Sequence, residues 1–420
     1  MKKLLLVAFH FPPQVGSSGL LRSLKFSRNL LAHDWRATVL TAKTRAYEKL
    51  DPSQLSQVPP EVKVMRAFAL DTKRHLSIGG RYLDALALPD RWVTWALGAI
   101  PAGLRIIRRQ QIDVIFSTFP IATAILIGWN LHRLTGRPWI ADFRDLMTED
   151  DYPVDPRTRR VYRSLERKAV HHAARIIFTA PSAVEEYLRR YPDLPRGKCV
   201  VIANGYEEED FQGIVNNDSG ASRTSSAPLR LVHNGLIYPQ ERNPRPFFRA
   251  LSRLKREGRL DGALQIDLRA SGSDDLYAKM LAELDIADVV KLLPAVPYRE
   301  SLRESAAADG LLLLQSAWCS RQIPAKAYEY LRLRRPILAL TNADGDTGRL
   351  LEETGGATVA ALEDEEAIYR ALPEFLQNVR AKSHPLPNPE IASRFSRRAQ
   401  ASELARVLDQ VLAESNQPKP

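Results

Sequence analysis

Cysteine is almost missing from this chain of 420 residues, which holds only Cys199 and Cys319. No Cys-x-x-Cys pair and no Cys/His cluster occurs, which excludes a zinc ribbon, an iron–sulfur site and a disulfide scaffold and fits a reducing compartment. A run of membrane-spanning length is missing too. The longest apolar stretch, Ile112 to Leu131, carries Asp113 and is interrupted by Ser117 and Pro120. A spanning helix needs about 20 predominantly apolar residues, so a buried strand, a turn and a helix fit this stretch better. The opening MKKLLLVAFHFPP has no small-residue cleavage site, and Pro12-Pro13 stops its apolar run. It reads as a first β-strand rather than a signal peptide. A cytoplasmic protein is expected. Histidines at ligand spacing are also lacking: the adjacent His171 and His172 point in different directions on a helix, so no metal is expected. No basic motif studded with aromatics is present, which argues against nucleic acid.

What the chain does have is an ordinary folding composition, 45% hydrophobic and 26% charged, over a length that favours two domains. Its net charge is +11. Up to Asp210 there are 32 Lys/Arg against 22 Asp/Glu, and beyond it 28 against 27. The basic half implies an anionic partner, such as phosphate or anionic lipid; a solvated basic surface is the plainer alternative.

Strand and helix patterns alternate. Buried strands fit Lys3–Phe9, Ala37–Thr41, Val62–Arg66, Val114–Ser117, Trp139–Asp142, Ile176–Thr179 and Val200–Ala203. Helices fit Ser18–His33, Ala122–Leu134 and Pro156–Ala174, where Val161, Leu165, Ala169 and Ala173 recur four apart. Ser182 and Glu185 have the spacing of a capping box that opens a further helix. A polar Gly/Ser/Asn/Asp-rich stretch, 213–228, reads as a linker between a domain over 1–212 and a second over 229–385. In the second, strands fit Arg230–His233, Gln265–Arg269, Val289–Leu292, Gly310–Leu314 and Pro336–Leu340. The remainder, 386–420, is expected to hold a helix from about Pro389 to Ala413 that crosses back to the first domain. The expected fold class is α/β, with two Rossmann-like parallel-sheet domains facing across a cleft. Ligands of such sheets bind at the carboxyl ends of the strands.

Four strand ends carry chemistry-bearing residues. In F-H-F-P-P-Q-V-G-S-S-G-L-L-R, Gly16, Ser17, Ser18 and Gly19 stand between a strand and a helix, where backbone N–H groups meet a phosphate or sugar closely; a flexible loop is the alternative. The spacing is neither that of a dinucleotide fingerprint nor that of a Walker loop. P-W-I-A-D-F-R-D ends a buried strand on Asp142, Arg144 and Asp145: the arginine suits a phosphate or carboxylate, and the carboxylates suit a sugar hydroxyl or a proton. An internal Asp–Arg ion pair shaping the loop is the structural alternative. L-V-H-N-G-L-I-Y-P-Q-E-R-N-P runs a strand into Gly235 and offers Arg242 to a diphosphate. A further candidate for backbone approach is Gly272, in a turn after the next strand. I-P-A-K-A-Y-E-Y-L places Pro324, Lys326 and Glu329 at a helix start, with Lys326 and Glu329 on one face. Lysine suits a phosphate, and a glutamate accepts from vicinal ribose hydroxyls. A surface ion pair is the bland reading of that pair.

In this order the segments resemble the GT-B glycosyltransferases, specifically the family 4-like retaining enzymes, over nearly the whole chain. The P-P-x-x-G-x-x-G loop with Arg22 resembles the family's Gly-rich loop. D-F-R-D resembles a variant in members that assemble surface polysaccharides. N-G-Y-x-x-x-D-F, from Asn204 to Phe211, is similar to the signature closing the first domain, and P-x-K-x-Y-E-Y-L to the donor-nucleotide segment. The resemblance implies transfer of a sugar, with retention, from a nucleotide diphosphate sugar to a glycan or lipid-linked acceptor. It also implies no cofactor and no catalytic metal. Arg242 and Lys326 would then stabilise the leaving diphosphate and Glu329 would hold the ribose. Gly16 to Gly19 would cover diphosphate and sugar, and Arg144, Asp142 and Asp145 would face the acceptor or the transferred sugar. The chain departs from the pattern where many members carry an Arg and a Lys together after the first strand of the second domain. It also has Arg321 where the first of two paired glutamates is usual. A nucleotide-sugar epimerase of the same fold and a degenerate, non-catalytic binding subunit are the alternatives. Between Arg74 and Arg109, arginines mix with Trp92, Trp95, Leu83, Leu86 and Leu88, which suits an anionic membrane surface, although aromatic residues at helical spacing also suit a core.

Overall fold

The structure is a computed structural model that describes residues 1–15, 19–214, 228–260 and 264–417. Two compact units make up the chain: Met1–Ala203 with Arg397–Pro420, and Asn204–Ser396.

The first unit is built on a seven-stranded sheet of β1 (Lys2–Val7), β2 (Trp35–Ala42), β3 (Lys63–Ala67), β4 (Val114–Thr118), β5 (Trp139–Phe143), β6 (Arg175–Phe178) and β7 (Cys199–Val201). The order is β3-β2-β1-β4-β5-β6-β7 and every pairing is parallel. The continuous apolar run of β1 follows from this position. Leu5 and Val7 enter one core, Leu4 and Leu6 the core on the opposite face, as a parallel sheet covered on both sides requires. The stretch Ile112 to Leu131 divides, as expected, into β4 and the helix Ala122–Thr135. Strand order reverses around β1, so the switch point of the sheet lies at the carboxyl ends of β1 and β4.

The second unit has six strands, β8 (Leu229–Asn234), β9 (Leu264–Arg269), β10 (Val290–Leu293), β11 (Gly310–Leu314), β12 (Ile337–Leu340) and β13 (Ala357–Ala360). They pair in parallel in the order β10-β9-β8-β11-β12-β13. The switch point is between β8 and β11, where Gly235 and Ser316 follow the strands. Both units are thus doubly wound α/β folds. Of the linker stretch, 215–227 lies outside the described residues; the segment from Asn204 to Ile214 belongs to the second unit.

Three expectations change in detail. The tail is two helices, Pro389–Ser393 and Arg397–Ser415, rather than one. Between them the Phe395 carbonyl accepts from the Tyr206 amide (3.1 Å) and leaves the helical ladder. The longer helix buries Leu404, Leu408 and Val411 with Leu4 and Leu24 in the first unit. Ser182 forms no capping box, because the helix Pro181–Arg190 begins one residue earlier, with Ala180 at the N-cap and Pro181 in its first turn. Trp92 and Trp95 are packing residues. Trp95 is fully buried, and Trp92 stacks at 4.7 Å on Phe9 while donating its Nε1–H to the Ala46 carbonyl. Their rings complete a cluster with Phe9 and Tyr47 under the end of β1, Trp95 fully and Trp92 partly buried.

Candidate functional site

In the first unit the register sets the chemistry. Thr118, the last residue of β4, is paired with Asp142 of β5. The Thr118 hydroxyl donates to Asp142 Oδ2 (2.7 Å). From the helix Gly19–Asn29, Arg22 grips both oxygens of the same carboxylate, Nη2 to Oδ1 at 2.8 Å and Nε to Oδ2 at 3.2 Å. Two further Arg22 N–H groups reach the carbonyls of Ile202 and Ala203, both at 3.0 Å. Arg22 and Asp142 are buried, so this two-pronged pair is shielded from water, and its further hydrogen bonds meet the condition under which a buried ion pair is tolerated. Asp142 therefore braces β4, β5, the helix and the chain after β7. An internal Asp–Arg pair does shape the strand end, but its arginine is Arg22.

Arg144 is free of that pair. Its Nε–H donates to the Phe119 carbonyl (2.6 Å), and its guanidinium lies over Gly19. A Cβ placed on Gly19 would stand 1.7 Å from Arg144 Nη1, so only glycine admits the arginine to this helix N-terminus. His10 borders Arg144. Burial and the neighbouring guanidinium push its imidazole down to about 4, which leaves it neutral at pH 7. Asp145 is exposed. The loop beyond it is pinned by buried Glu166, which accepts from the Thr148 amide (3.1 Å) and the Tyr187 hydroxyl (2.8 Å). Gly16, Ser17 and Ser18 lie outside the described residues.

In the second unit, β8 ends in His233 and Asn234 and turns at Gly235, whose φ of +107° a side chain would strain. Fully buried His233 has Nδ1 at 2.9 Å from the Leu312 carbonyl. A carbonyl only accepts, so the neutral ring carries its proton on Nδ1 and turns a lone pair on Nε2 outward. That lone pair meets Lys326 Nζ at 2.9 Å. Lys326 stands in the first turn of the helix Ala325–Leu333, entered through Pro324. Burial, and then the Arg242 charge, bring its amine down to about 7, against the opposing pull of Glu329. The guanidinium of Arg242 lies 5.5 Å from the Tyr238 ring centroid, and its Nε is buried without a hydrogen-bond partner. Glu329 accepts from the Tyr298 hydroxyl (2.7 Å). Gly272 sits in the turn after β9 against Leu236.

The second-unit residues singled out in the sequence thus gather at one strand edge, whereas the first-unit ones divide into a brace (Asp142) and a lining (Gly19, Arg144, Asp145). Sequence reasoning missed His233 and His10. The signal for His233 was a histidine inside an apolar strand immediately before Asn-Gly. Among the described residues no three His, Cys, Asp or Glu side chains form a group that could hold a metal ion. No described helix is long and apolar enough to cross a membrane.

Two doubly wound units with chemistry at their strand ends define the GT-B class of folds. Residues 21–205 match the glycosyl transferase 4-like domain family. Over these residues the first unit is similar to a glycosyl transferase 4-like domain, which supports the resemblance drawn from the motifs. No curated protein matches the sequence. Among solved structures, sucrose-phosphate synthase from Thermosynechococcus elongatus is similar at a TM-score of 0.67 and 14% identity, covering 99% of this chain and 100% of that one. Anabaena HepE in complex with UDP is similar at 0.67 and 14%, covering 98% and 100%. A Listeria monocytogenes protein assigned as a UDP-N-acetylglucosamine 2-epimerase is similar at 0.55 and 12%, covering 100% and 99%. At these identities the likeness is one of fold.

Proposed function

We propose that this protein is a retaining glycosyltransferase. It moves a hexose-type sugar from a nucleotide diphosphate sugar to a glycan or lipid-linked acceptor in cell-surface polysaccharide synthesis. The observation that carries this reading is the pair of cations at the end of β8. Lys326 is bonded to a neutral imidazole, and Arg242 keeps a buried Nε–H without a partner. Two like charges close enough to perturb one another, without a hydrogen-bonded carboxylate on either, form a site awaiting an anion. A diphosphate supplies it. Departure of the diphosphate concentrates charge beside these donors, the step where fixed cations act most strongly, and no bound metal is required for it. Glu329, oriented by Tyr298, accepts the ribose hydroxyls, and Gly235 lets backbone approach the phosphates. Arg144 and Asp145 serve the acceptor or the reacting sugar.

The HepE complex with UDP makes UDP and UDP-sugars the first probes. At a hundred times its dissociation constant a donor stabilises the protein by about 2.7 kcal/mol, a rise in melting temperature that thermal-shift assays resolve. If no uridine, guanosine, adenosine or thymidine diphosphate sugar shifts the transition, the reading fails. The fold shared with the Listeria protein favours epimerisation as the second reading. Incubation with the donor alone separates them, because an epimerase alters the sugar without an acceptor.

The acceptor is proposed to be presented at the cytoplasmic face of an anionic membrane. Support comes from Ile78 (89% exposed) and Leu83 (72% exposed), with Tyr82 and Leu86 exposed between Lys73, Arg81 and the core. Apolar side chains rimmed by cations suit a lipid interface, each basic residue contributing about 1 kcal/mol within a Debye length. The protein should co-sediment with phosphatidylglycerol vesicles at low ionic strength and release as salt rises. Absence of binding at low salt would indicate a soluble acceptor.

A further inference from the structure

We propose that His233 is the positioning residue of the diphosphate site: its Nε2 holds the Lys326 amine toward the anion, so that nucleoside diphosphate binding takes up a proton onto Lys326. The inference rests on the nucleotide-sugar reading of this site and deepens it.

The geometry leaves His233 one role. Its Nδ1–H is committed to the Leu312 carbonyl at 2.9 Å, and the ring is fully buried in β8. Nε2 is then an acceptor aimed at Lys326 Nζ, 2.9 Å away. A carboxylate in that place would neutralise Lys326 and compete with the phosphate. An imidazole held neutral orients the amine and leaves its charge for the ligand. Gly235 borders the amine: a Cβ there would lie 3.5 Å from Nζ, in ordinary contact, so the glycine is required by its φ of +107°.

The charged and titratable groups facing Lys326 agree with this. From the loop after β8, Arg242 disfavours a second positive charge, and from its own helix Glu329, tied to Tyr298 of the helix Tyr298–Ala307, partly offsets it. His233 itself is driven well below its ordinary value, by burial first and then by Lys326. With the Lys326 amine at about 7, a large share of it is neutral above that pH in the free protein. An arriving diphosphate favours the ammonium, so the amine's value rises on binding and a proton is taken up. The sign is fixed: affinity is highest below the free value and falls as pH rises through it, by about tenfold per pH unit until the bound value is reached.

The test is calorimetric binding of UDP, with GDP and ADP as alternates, to the full chain between pH 6 and 9. Each titration is run in two buffers of different ionisation enthalpy to count protons. Wild type should take up close to one proton at pH 8 and lose affinity above pH 7. In Lys326→Met both the uptake and the slope above pH 7 should vanish. His233→Leu removes the acceptor from a buried ammonium, so the fall in affinity should move to lower pH, with at least tenfold weaker binding at pH 7.5. His233→Gln, which puts an amide oxygen near the Nε2 position, should recover most of that loss. Wild-type binding without proton uptake overturns the proposal even where His233→Leu does not fold. So does uptake that persists in Lys326→Met, or a His233→Leu profile identical to wild type; in each case the nucleotide reading stands. Failure of wild type to bind any of the three nucleotides defeats the nucleotide reading and this inference with it.

Discussion

Lys326→Met is expected to lower kcat for sugar transfer by roughly 10²–10³-fold, the usual effect of removing one fixed donor from a site where negative charge develops. The same substitution weakens donor binding less, because Arg242 remains to meet the diphosphate in the ground state. Lys326 differs from an ordinary surface lysine in that its partner is a neutral ring and its neighbour a second cation. Its charge therefore meets the diphosphate on binding and acts more strongly still as the leaving group gains charge. Steady-state kinetics with saturating donor checks this. A change in KM with kcat preserved would make the lysine a binding group only. The fold should survive, since the methionine side chain fills the space of the lysine stem beside His233. One imidazole nitrogen then lacks a donor, which costs on the order of 1–3 kcal/mol.

Arg22→Met is expected to have the largest effect on stability. It leaves the Thr118 hydroxyl as the side-chain hydrogen bond to the buried Asp142 carboxylate, with Arg144 acting on it only through its charge, and breaking a buried pair typically costs about 3–5 kcal/mol. The carbonyls of Ile202 and Ala203 lose donors at the same time. Urea unfolding of the single variants and of Arg22→Met with Asp142→Leu forms a cycle. The double variant should be more stable than Arg22→Met alone, because removing both charges avoids the stranded one. Equal losses in the single and double variants would mean that the pair is not what braces the strand ends.

The sheet architecture was legible because parallel strands buried on both faces write themselves as unbroken apolar runs, as in Leu4–Val7 and Leu311–Leu314. Charges close after such runs stand out, as Arg144 and Asp145 do, whereas Lys326 stands out with Glu329 through helical spacing. The role of Asp142 was hidden because its partner lies on the first helix, far away in sequence, whereas Arg144 is two residues on and points elsewhere. Register, which sets Thr118 beside Asp142, is a property of strand pairing that a local motif does not carry. For Trp92 and Trp95 the composition fits a membrane interface and the helical spacing fits a core; the core reading holds, because Phe9 and Tyr47 at remote positions complete a cluster around them. Ser182 misled through spacing, since Pro181 had already opened the helix. His233 shows the reverse error. A lone histidine was given no role, and only the Leu312 carbonyl across the sheet and Lys326 on another helix give its two nitrogens distinct tasks.

The central claim is group transfer from a nucleotide sugar, and its most direct measurement follows the sugar itself. The purified chain is incubated with radiolabelled UDP-sugar, with and without membranes bearing lipid-linked glycans, and the label and the nucleotide are traced together. The account predicts that label enters an extractable glycolipid or glycan in step with release of UDP, only with acceptor present, and that Lys326→Met suppresses both. Label that remains on the nucleotide as an altered sugar, formed without acceptor, would contradict it.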